Sequence, residues 1–210
     1  ICHSDVHTAR NDWRGTRYPC VPGHEIVGTV VEVGSGVTRH TVGDRVGVGC
    51  LVDSCGECEE CRAGLQNYCT RGGTLTYNSI DAHGTTDHTF GGYSGEIVVT
   101  EGFVVSIPAG LDPAAAAPIL CAGITMYSPL RHHGVGAGSR VGVAGFGGLG
   151  SMAVKLAAAM GAEVTVITRT DRKAEDAHKA GADHVLVSGD RASMKAAARS
   201  MDVILSTIPS

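Results

Sequence analysis

The stretch RVGVAGFGGLGSMAVKLAAAMGAEVTVIT, residues 140–168, gives the strongest indication of the fold of the second half of this chain. Its β-branched beginning and its last six residues predict two strands, and the alanine-rich middle predicts a helix. Between the first strand and the helix lies GFGGLG, a G-x-G-x-x-G pattern at Gly145, Gly147 and Gly150. The first glycine permits a tight turn, the second lets the backbone approach a pyrophosphate, and the third lets the helix pack on the strand. The stretch therefore predicts a dinucleotide-binding β-α-β unit, with the pyrophosphate at the helix N-terminus.

The alternation of strands and helices continues to the end of the chain. Residues 171–182 predict a helix ending at Gly181, 183–187 a strand, 191–200 a helix and 201–209 a strand. A β-α-β-α-β-α-β order predicts a parallel sheet covered by helices. A doubly wound dinucleotide domain normally has six strands, so we expect this sheet to be incomplete.

The first half of the chain has a different character. Residues 1 to about 110 are rich in glycine and cysteine, and strands are predicted in EIVGTVVEVG (25–34), DRVGVGCLV (44–52) and GEIVVTEGFVVSIP (95–108). The change comes at LDPAAAAPIL, where Asp112 is expected to be a helix N-cap and Pro113 the first helical residue. We therefore predict two domains, residues 1–115 and 116–210.

Composition excludes several functional classes. The 210 residues are 43% hydrophobic and carry a net charge of −4, which argues against nucleic acid or an anionic membrane as partner. No apolar run approaches the roughly 20 residues needed to span a bilayer. We therefore expect a globular protein with no nucleic-acid and no membrane partner.

Four of the eight cysteines crowd into CGECEECRAGLQNYC, with the spacing C-x2-C-x2-C-x7-C at Cys55, Cys58, Cys61 and Cys69. This spacing is too tight for good disulfide geometry and favours metal thiolates in a reducing, cytoplasmic compartment. Four thiolates fill a tetrahedron, so we predict a structural zinc in a lobe over about residues 50–72. A ferredoxin-type cluster is the alternative, but its motif continues with x3-C-P, whereas Thr70 follows the fourth cysteine here.

Cys2, His24 and Cys121 form a second candidate metal site. Two thiolates and one imidazole leave a fourth position open, which is the arrangement of a catalytic zinc; alcohol dehydrogenase is the standard example of that ligand set. No spacing rule joins these three residues, and a histidine beside an acid is more often structural. Their residue types alone therefore leave the assignment open.

A resemblance to a known family bears on that assignment. GHEIVGTVVEVGSGV resembles the zinc-containing alcohol dehydrogenase signature G-H-E-x2-G-x5-G-x2-V. ICHSDVH, YPCVPGHE, GCLVDSCGECEEC, TYNS, GGYSGEIVV, LCAGITMYSPLRH and GFGGLG resemble the cinnamyl-alcohol-dehydrogenase-like branch of the medium-chain dehydrogenases. The resemblance implies an α/β protein with a GroES-like irregular β catalytic domain and a Rossmann doubly wound parallel sheet. Both domains are expected to be incomplete, because first and last strands of the family fold have no counterpart here.

The resemblance also implies roles for residues around the second metal site. Cys2, His24 and Cys121 would hold a catalytic zinc, and Glu25 would sit beside it. Asp5 would accept the spare N–H of His24 and so fix the imidazole tautomer.

A proton path is implied by the same motifs. Ser4 would hydrogen-bond the oxygen of the substrate, and His7 would continue the path to solvent. Trp13 would line the substrate pocket, although a plain core aromatic is nearly as good an interpretation. Cys20 and Cys50 match no ligand position and are interpreted as buried thiols.

The end of the second strand of the dinucleotide unit indicates which cofactor binds. An NAD-binding strand should end in Asp or Glu, but this one ends in TVITRTDRK. A carboxylate would repel a 2′-phosphate, whereas hydroxyls and cations would bind it, so we predict NADP(H). Asp171 lies too far along and is interpreted as a helix N-cap. The predicted cofactor contacts are Gly145, Gly147, Gly148, Leu149, Gly150, Thr125, Thr168, Arg169, Thr170 and Lys173.

The combined prediction is a zinc-dependent NADP(H) alcohol dehydrogenase or aldehyde reductase with two zinc ions per chain. It would transfer hydride between the nicotinamide and a primary alcohol or aldehyde, and the full-length protein would be a homodimer. A zinc-free quinone or enoyl reductase of the same fold is disfavoured by the cysteines. A non-functional fragment that only binds zinc stays open as the alternative.

Overall fold

The computed structural model describes residues 1–80 and 86–208 and divides the chain into two compact units, Ile1–Cys121 and Ala122–Ser210. The predicted boundary at 115/116 falls inside the first unit. The reason is that helix α3 (Pro113–Ala116) and the 3₁₀ turn Ala117–Leu120 pack on the sheet of that unit. Cys121 therefore belongs to the same unit as Cys2 and His24.

The first unit is built on a three-stranded antiparallel sheet in the order β1-β2-β5. Its strands are β1 (Ile26–Thr29), β2 (Arg45–Val48) and β5 (Val104–Ser106). The β1–β2 register pairs Ile26 with Val48, and the β2 side chains Val46 and Val48 are buried. His24 lies two residues before the first residue of β1, so this small sheet holds the end of the segment that contains His24.

Short elements surround the sheet. They are α1 (His3–Ala9), α2 (Glu59–Arg62), the antiparallel pair β3 (Leu51–Asp53) and β4 (Thr74–Leu75), and 3₁₀ turns at Gln66–Tyr68 and Glu101–Phe103. Because these elements are short, few backbone hydrogen bonds stabilise the segment 55–72.

The strand predictions for this unit are only partly confirmed. The run 44–52 forms two strands, and the run 25–34 keeps its ladder only as far as Val30, whose N–H donates to Asp44. The prediction of a strand over 95–108 is wrong outside Val104–Ser106. Residues 95–100 have no ladder partner among the described residues, and Val98 is fully exposed at 99%. A strand needs a hydrogen-bonding neighbour, which β-propensity alone does not supply.

The second unit contains a four-stranded parallel sheet in the order β8-β7-β6-β9. Its strands are β6 (Arg140–Ala144), β7 (Glu163–Thr168), β8 (His184–Val187) and β9 (Val203–Ser206). Its helices are α4 (Ala122–His132), α5 (Gly148–Ala159), α6 (Ala174–Ala180) and α7 (Arg191–Ala196). The predicted alternation and parallel sheet are confirmed; Pro209, at the end of the last predicted strand, lies outside the described residues.

The core of the second unit is made by the two central strands and the helices that cover them. Val141, Val143, Val164 and Val166 are fully buried. The near-continuous apolar strands are typical of a parallel sheet that is buried on both faces. The buried cluster comprises Met126, Leu130, Val135, Val141, Val143, Ala153, Val154, Ala157, Ala162, Val164, Val166, Ala177, Ala182 and Leu205.

Of three predicted helix ends, those at Asp112 and Gly181 are confirmed and the one at Asp171 is wrong. Asp112 caps α3 as predicted, because its side chain accepts the N–H of Ala115 at 3.0 Å and Pro113 is the first helical residue. Gly181 ends α6 at φ 110°, as predicted. Asp171 is not an N-cap: it is the first residue of a 3₁₀ turn, Asp171–Lys173, that leads into α6.

Helix length and composition bear on membrane crossing. Within residues 1–80 and 86–208, no single helix is long and apolar enough to cross a bilayer, although the bent pair Pro113–Leu120 and Ala122–His132 reaches that length and composition when counted together.

Candidate metal centres and cofactor loop

Three ligand-type side chains from distant parts of the sequence converge in the first unit. The Sγ atoms of Cys2 and Cys121 are 3.9 Å apart, and His24 Nε2 lies 3.2 Å from Cys121 Sγ. All three ligand atoms lie within 4.8 Å of one another. The structure thus brings together the three residues that the family resemblance implies as ligands, and we refer to Cys2, His24 and Cys121 as the three-ligand site.

Local backbone features put each of these residues in place. Cys2 is the N-cap of α1, and Asp5 at the third helical position accepts its N–H at 2.9 Å. Gly23 turns the chain just before His24 at φ +105°, a conformation that favours glycine. Cys121 ends the last 3₁₀ turn of the unit.

Asp5 orients His24. The carboxylate is buried, and its Oδ1 lies 3.0 Å from His24 Nδ1 and accepts the N–H of Gly23 at 3.2 Å. Burial alone would raise the pKa of Asp5, but the N–H of Cys2, the charge of His24 and the hydroxyls of Tyr93 and Tyr77 outweigh it and lower that pKa. Asp5 is therefore an ionised acceptor, as its predicted role requires.

The donor set fits a zinc ion. A Zn–S distance near 2.3 Å implies that two thiolates of a tetrahedron lie about 3.8 Å apart, close to the 3.9 Å between Cys2 and Cys121. Because Asp5 accepts a hydrogen bond from the Nδ1–H of His24, the Nε2 lone pair of His24 faces the thiols. Three protein ligands leave one position open, which is the pattern of a catalytic rather than a structural zinc.

One neighbour of this group, Cys50, differs from expectation. The prediction that Cys50 is a buried thiol is wrong, because Cys50 is exposed. The reason for this exposure is that Cys50 follows β2 at the end of the sheet rather than within it. It lies beside Cys121, and a hydrogen bond with the Cys121 thiol lowers the pKa of Cys50. Cys20 is half-buried. Glu25 follows His24 in the chain and is largely buried, and its carboxylate is not one of the three ligands.

The residues of the predicted proton path lie on or next to α1. Ser4 Oγ is 3.5 Å from Cys2 Sγ. His7 is half-exposed, its Nδ1 lies 2.9 Å from Asp12 Oδ2, and its ring packs on Trp13 with centroids 5.0 Å apart. Trp13 is 62% exposed, so the core-aromatic interpretation is wrong. Ser4 and His7 share no direct hydrogen bond in the described structure, so a proton passing between them needs a bridging group.

The four-cysteine cluster also converges. The Sγ atoms of Cys55, Cys58, Cys61 and Cys69 all lie within 4.8 Å of one another, and those of Cys55 and Cys61 are 3.9 Å apart. Cys61 and Cys69 are buried, and all four thiols are free of disulfides. Four thiolates at this spacing fit a closed tetrahedral zinc site.

Backbone N–H groups lower the pKa of two of the four thiols, whereas for Cys61 the hydrogen bond to Ser54 is outweighed by burial and by the thiols of Cys58 and Cys69, which raise its pKa to about 11. The N–H groups of Cys61 and Thr70 lower the pKa of Cys58 to about 6, and that of Cys55 helps to lower the pKa of Cys69. Because the thiolate is the metal ligand, a lowered thiol pKa favours metal binding near neutral pH.

The glycine loop has the geometry that a pyrophosphate needs. Gly145 turns at φ +91°, and a Cβ on Gly150 would collide with the carbonyl oxygen of Gly145. A Cβ on Gly147 would instead meet no atom within 4 Å, so open space lies at the N-terminus of α5. This opening fits the close approach of a dinucleotide phosphate.

The predicted cofactor residues outside the glycine loop differ in their contacts and in their exposure. Lys173 Nζ donates to the carbonyl of Phe146 within the loop at 3.1 Å. Thr168 is half-buried, and Arg169 and Thr170 are exposed. Thr125 is exposed on α4.

Two family matches cover most of the chain. Residues 1–109 match the alcohol dehydrogenase GroES-like domain, and residues 148–210 match the zinc-binding dehydrogenase family. The chain belongs to the zinc-dependent medium-chain alcohol dehydrogenases. The GroES-like irregular domain and the partial Rossmann sheet are the fold of this family, and the fold prediction is confirmed.

Similar proteins place this medium-chain dehydrogenase in the cinnamyl-alcohol-dehydrogenase-like branch. It is 56% identical to NADP-dependent alcohol dehydrogenase C 1 of Mycolicibacterium smegmatis over 99% of the chain and 59% of that relative. It is 54% identical to the aldehyde reductase YahK of Escherichia coli, again over 99% and 59%. The crystal structure of CAD from Helicobacter pylori, complexed with NADP(H), matches with a TM-score of 0.91 and 47% identity over 100% of this chain and 59% of that one. The chain thus spans about 59% of the length of these relatives.

Two tyrosines beside the three-ligand site are not indicated by any sequence pattern. Tyr93 and Tyr77 lie in the motifs GGYSGEIVV and TYNS, and neither motif predicts a role for its tyrosine. The Tyr93 hydroxyl donates to Asp5 Oδ2 at 3.0 Å, and the Tyr77 ring packs on His24 with centroids 5.5 Å apart. Burial and Asp5 raise the pKa of Tyr93 to about 12, so its hydroxyl is a proton donor. Only the long-range contact to Asp5 reveals these residues.

Gly147 and Gly150 of the glycine loop allow a paired test of cofactor binding. We expect Gly147→Ala to weaken NADPH binding at least tenfold, because its new methyl group occupies space that the pyrophosphate needs. Its thermal unfolding temperature should change little, because that methyl group touches no protein atom. Titration of NADPH fluorescence and a thermal melt measure the two effects.

Two further variants control this experiment. Gly136→Ala also enters open space but lies outside the loop, and it should bind NADPH as the parent does. Gly150→Ala forces helix α5 away from Gly145 and should lower stability as well as binding. Unchanged NADPH affinity in Gly147→Ala would show that the pyrophosphate does not lie at this loop.

Proposed function

We propose that this protein is a zinc- and NADP(H)-dependent alcohol dehydrogenase that works as an aldehyde reductase. The observation that carries the proposal is the convergence of Cys2, His24 and Cys121 with Asp5 behind the imidazole. Two thiolates, one oriented imidazole and an open fourth position are what a catalytic zinc requires. Because the chain spans about 59% of its relatives, the activity of the whole protein is part of this proposal.

The cofactors supply chemistry that side chains cannot. A zinc held by Cys2, His24 and Cys121 would act as a Lewis acid toward a carbonyl oxygen. NADPH held on the glycine loop would supply the hydride. A closed four-cysteine site offers no position for substrate, so the second zinc is proposed to be structural.

The side chains of this protein hold and move protons around that chemistry. Asp5 keeps the proton of His24 on Nδ1, so that Nε2 stays available. The hydroxyl of Ser4, next to Cys2 Sγ, is placed to give a proton to the substrate oxygen. His7, half-exposed and paired with Asp12, is placed to take a proton from solvent. Glu25 is proposed to lie beside the zinc as a neighbouring carboxylate.

Preference for NADP(H) rests on the end of β7. That strand ends at Thr168 without a carboxylate, and Arg169, Thr170 and Lys173 follow within five residues; the carboxylate among them, Asp171, begins a 3₁₀ turn three residues beyond the strand end. Hydroxyls and cations would hold a 2′-phosphate that a carboxylate would repel. Relatives named as NADP-dependent support this preference.

The test is aldehyde reduction followed with both cofactors. We expect NADPH to be oxidised in the presence of primary aldehydes at least tenfold more efficiently than NADH, with about two zincs per chain by metal analysis. An aliphatic and an aromatic aldehyde series would identify the substrate class. Equal rates with NADH would overturn the NADP assignment, and two zincs without turnover would favour the alternative of a zinc-binding fragment.

Compartment and assembly follow as further proposals. Free thiolate clusters persist in a reducing environment, which favours the cytoplasm. We propose that the full-length protein is a homodimer; sedimentation of the full-length protein would test this.

A further inference from the structure

The hydrogen bonds of Asp5 form a complete set around one carboxylate. Oδ1 faces His24 Nδ1 at 3.0 Å and the N–H of Gly23 at 3.2 Å. Oδ2 accepts the N–H of Cys2 at 2.9 Å and the hydroxyl of Tyr93 at 3.0 Å. A carboxylate has about four acceptor sites, and these four donors, with the Tyr77 hydroxyl as a fifth partner, leave none of them free.

Tyr93 is itself held in place by the segment that precedes His24. Its N–H donates to the carbonyl of Pro22 at 3.1 Å, and the N–H of Gly92 donates to Gly23 at 2.9 Å. A Cβ on Gly91 would overlap the carbonyl oxygen of Gly23, so the two segments touch backbone to backbone. The Tyr93 hydroxyl therefore reaches Asp5 from a rigid support.

Tyr77 approaches the same pair from another side. Its side chain is 9% exposed, its ring packs on the His24 ring, and its hydroxyl interacts with Asp5 and Thr8. Asp5 is thus contacted by two tyrosines, the half-exposed Tyr93 and the buried Tyr77, and neither belongs to the three-ligand site.

We propose that Tyr93 and Tyr77 are positioning residues that hold the Asp5 carboxylate so that His24 presents Nε2 to the metal. This inference rests on the proposed zinc site at Cys2, His24 and Cys121. The reason is geometric: hydrogen bonds to Oδ2 oppose the rotation of the carboxylate that would carry Oδ1 away from the imidazole. Partners behind a ligating histidine typically change metal affinity by about 10–100-fold.

The test compares hydroxyl deletions in one protein that has two metal sites. Tyr93→Phe and Tyr77→Phe each remove one oxygen, and Tyr18→Phe is the matched control, because its hydroxyl donates to the Ala9 carbonyl at the end of α1 instead. Metal-depleted protein is titrated with Co²⁺, whose visible spectrum distinguishes a site with two thiolates and one imidazole from a site with four thiolates. Zinc is then titrated in competition with a chromogenic chelator.

We expect each Phe variant to bind metal about tenfold more weakly at the three-ligand site. The four-cysteine site of the same molecule and both sites of Tyr18→Phe should keep parent affinity. Parent affinity at the three-ligand site in both variants overturns the inference, even if they melt at a lower temperature, because a merely structural role moves stability alone. If the parent itself shows only the four-thiolate spectrum, the proposed catalytic zinc site fails and this inference fails with it.

Discussion

A Cys121→Ser variant is expected to lose one of about two zincs and to reduce aldehydes at least about a thousandfold more slowly than the parent. A serine hydroxyl is a poor zinc ligand at neutral pH, because it is not deprotonated as a thiol is. The Lewis acidity of a metal is worth several kcal/mol in such a reaction, and each 1.4 kcal/mol is about a factor of ten in rate. Metal analysis and NADPH oxidation in the presence of an aldehyde measure the two losses.

A matched thiol variant makes this result specific. Cys20→Ser removes a half-buried thiol of the same unit that lies in neither metal group, and it should keep both zincs and the parent rate. NADPH fluorescence should still report cofactor binding in Cys121→Ser, because the glycine loop lies in the other unit. A Cys121→Ser protein that kept its second zinc and its turnover would remove Cys121 from the metal site.

The sequence predicted local features best. The glycine loop, the four-cysteine spacing and the Asp112 cap each lie within a short stretch, where periodicity and turn chemistry act directly. The parallel sheet followed from the strict alternation of strands and helices.

Long-range contacts were beyond what residue patterns could supply. Cys2 and Cys121 are separated by 119 positions and Tyr93 and Asp5 by 88, so no spacing rule joins either pair. The family resemblance supplied the first pair, and only the fold revealed the second. The same limit explains the missing strand at 95–100, since pairing depends on a neighbour elsewhere in the chain.

The second large effect is expected at the four-cysteine cluster. Cys61→Ser should release the structural metal and lower the unfolding free energy of the first unit by about 3–5 kcal/mol. Within residues 50–72, all of which the structure describes, the regular elements are the three-residue strand β3, the four-residue helix α2 and one 3₁₀ turn. These short elements have too few backbone hydrogen bonds to hold the lobe without a crosslink.

The measurement for Cys61→Ser combines metal analysis with limited proteolysis. We expect one zinc per chain instead of about two, and new cleavage between residues 55 and 72, while NADPH binding by the second unit is retained. Cys20→Ser again serves as the control, since it removes a thiol of the same unit without touching the cluster. Metal analysis of the parent also separates the two candidate occupants: iron with acid-labile sulfide would contradict the zinc assignment. An unchanged proteolytic pattern in Cys61→Ser would contradict this prediction, since it would show that residues 55–72 keep their structure without the metal.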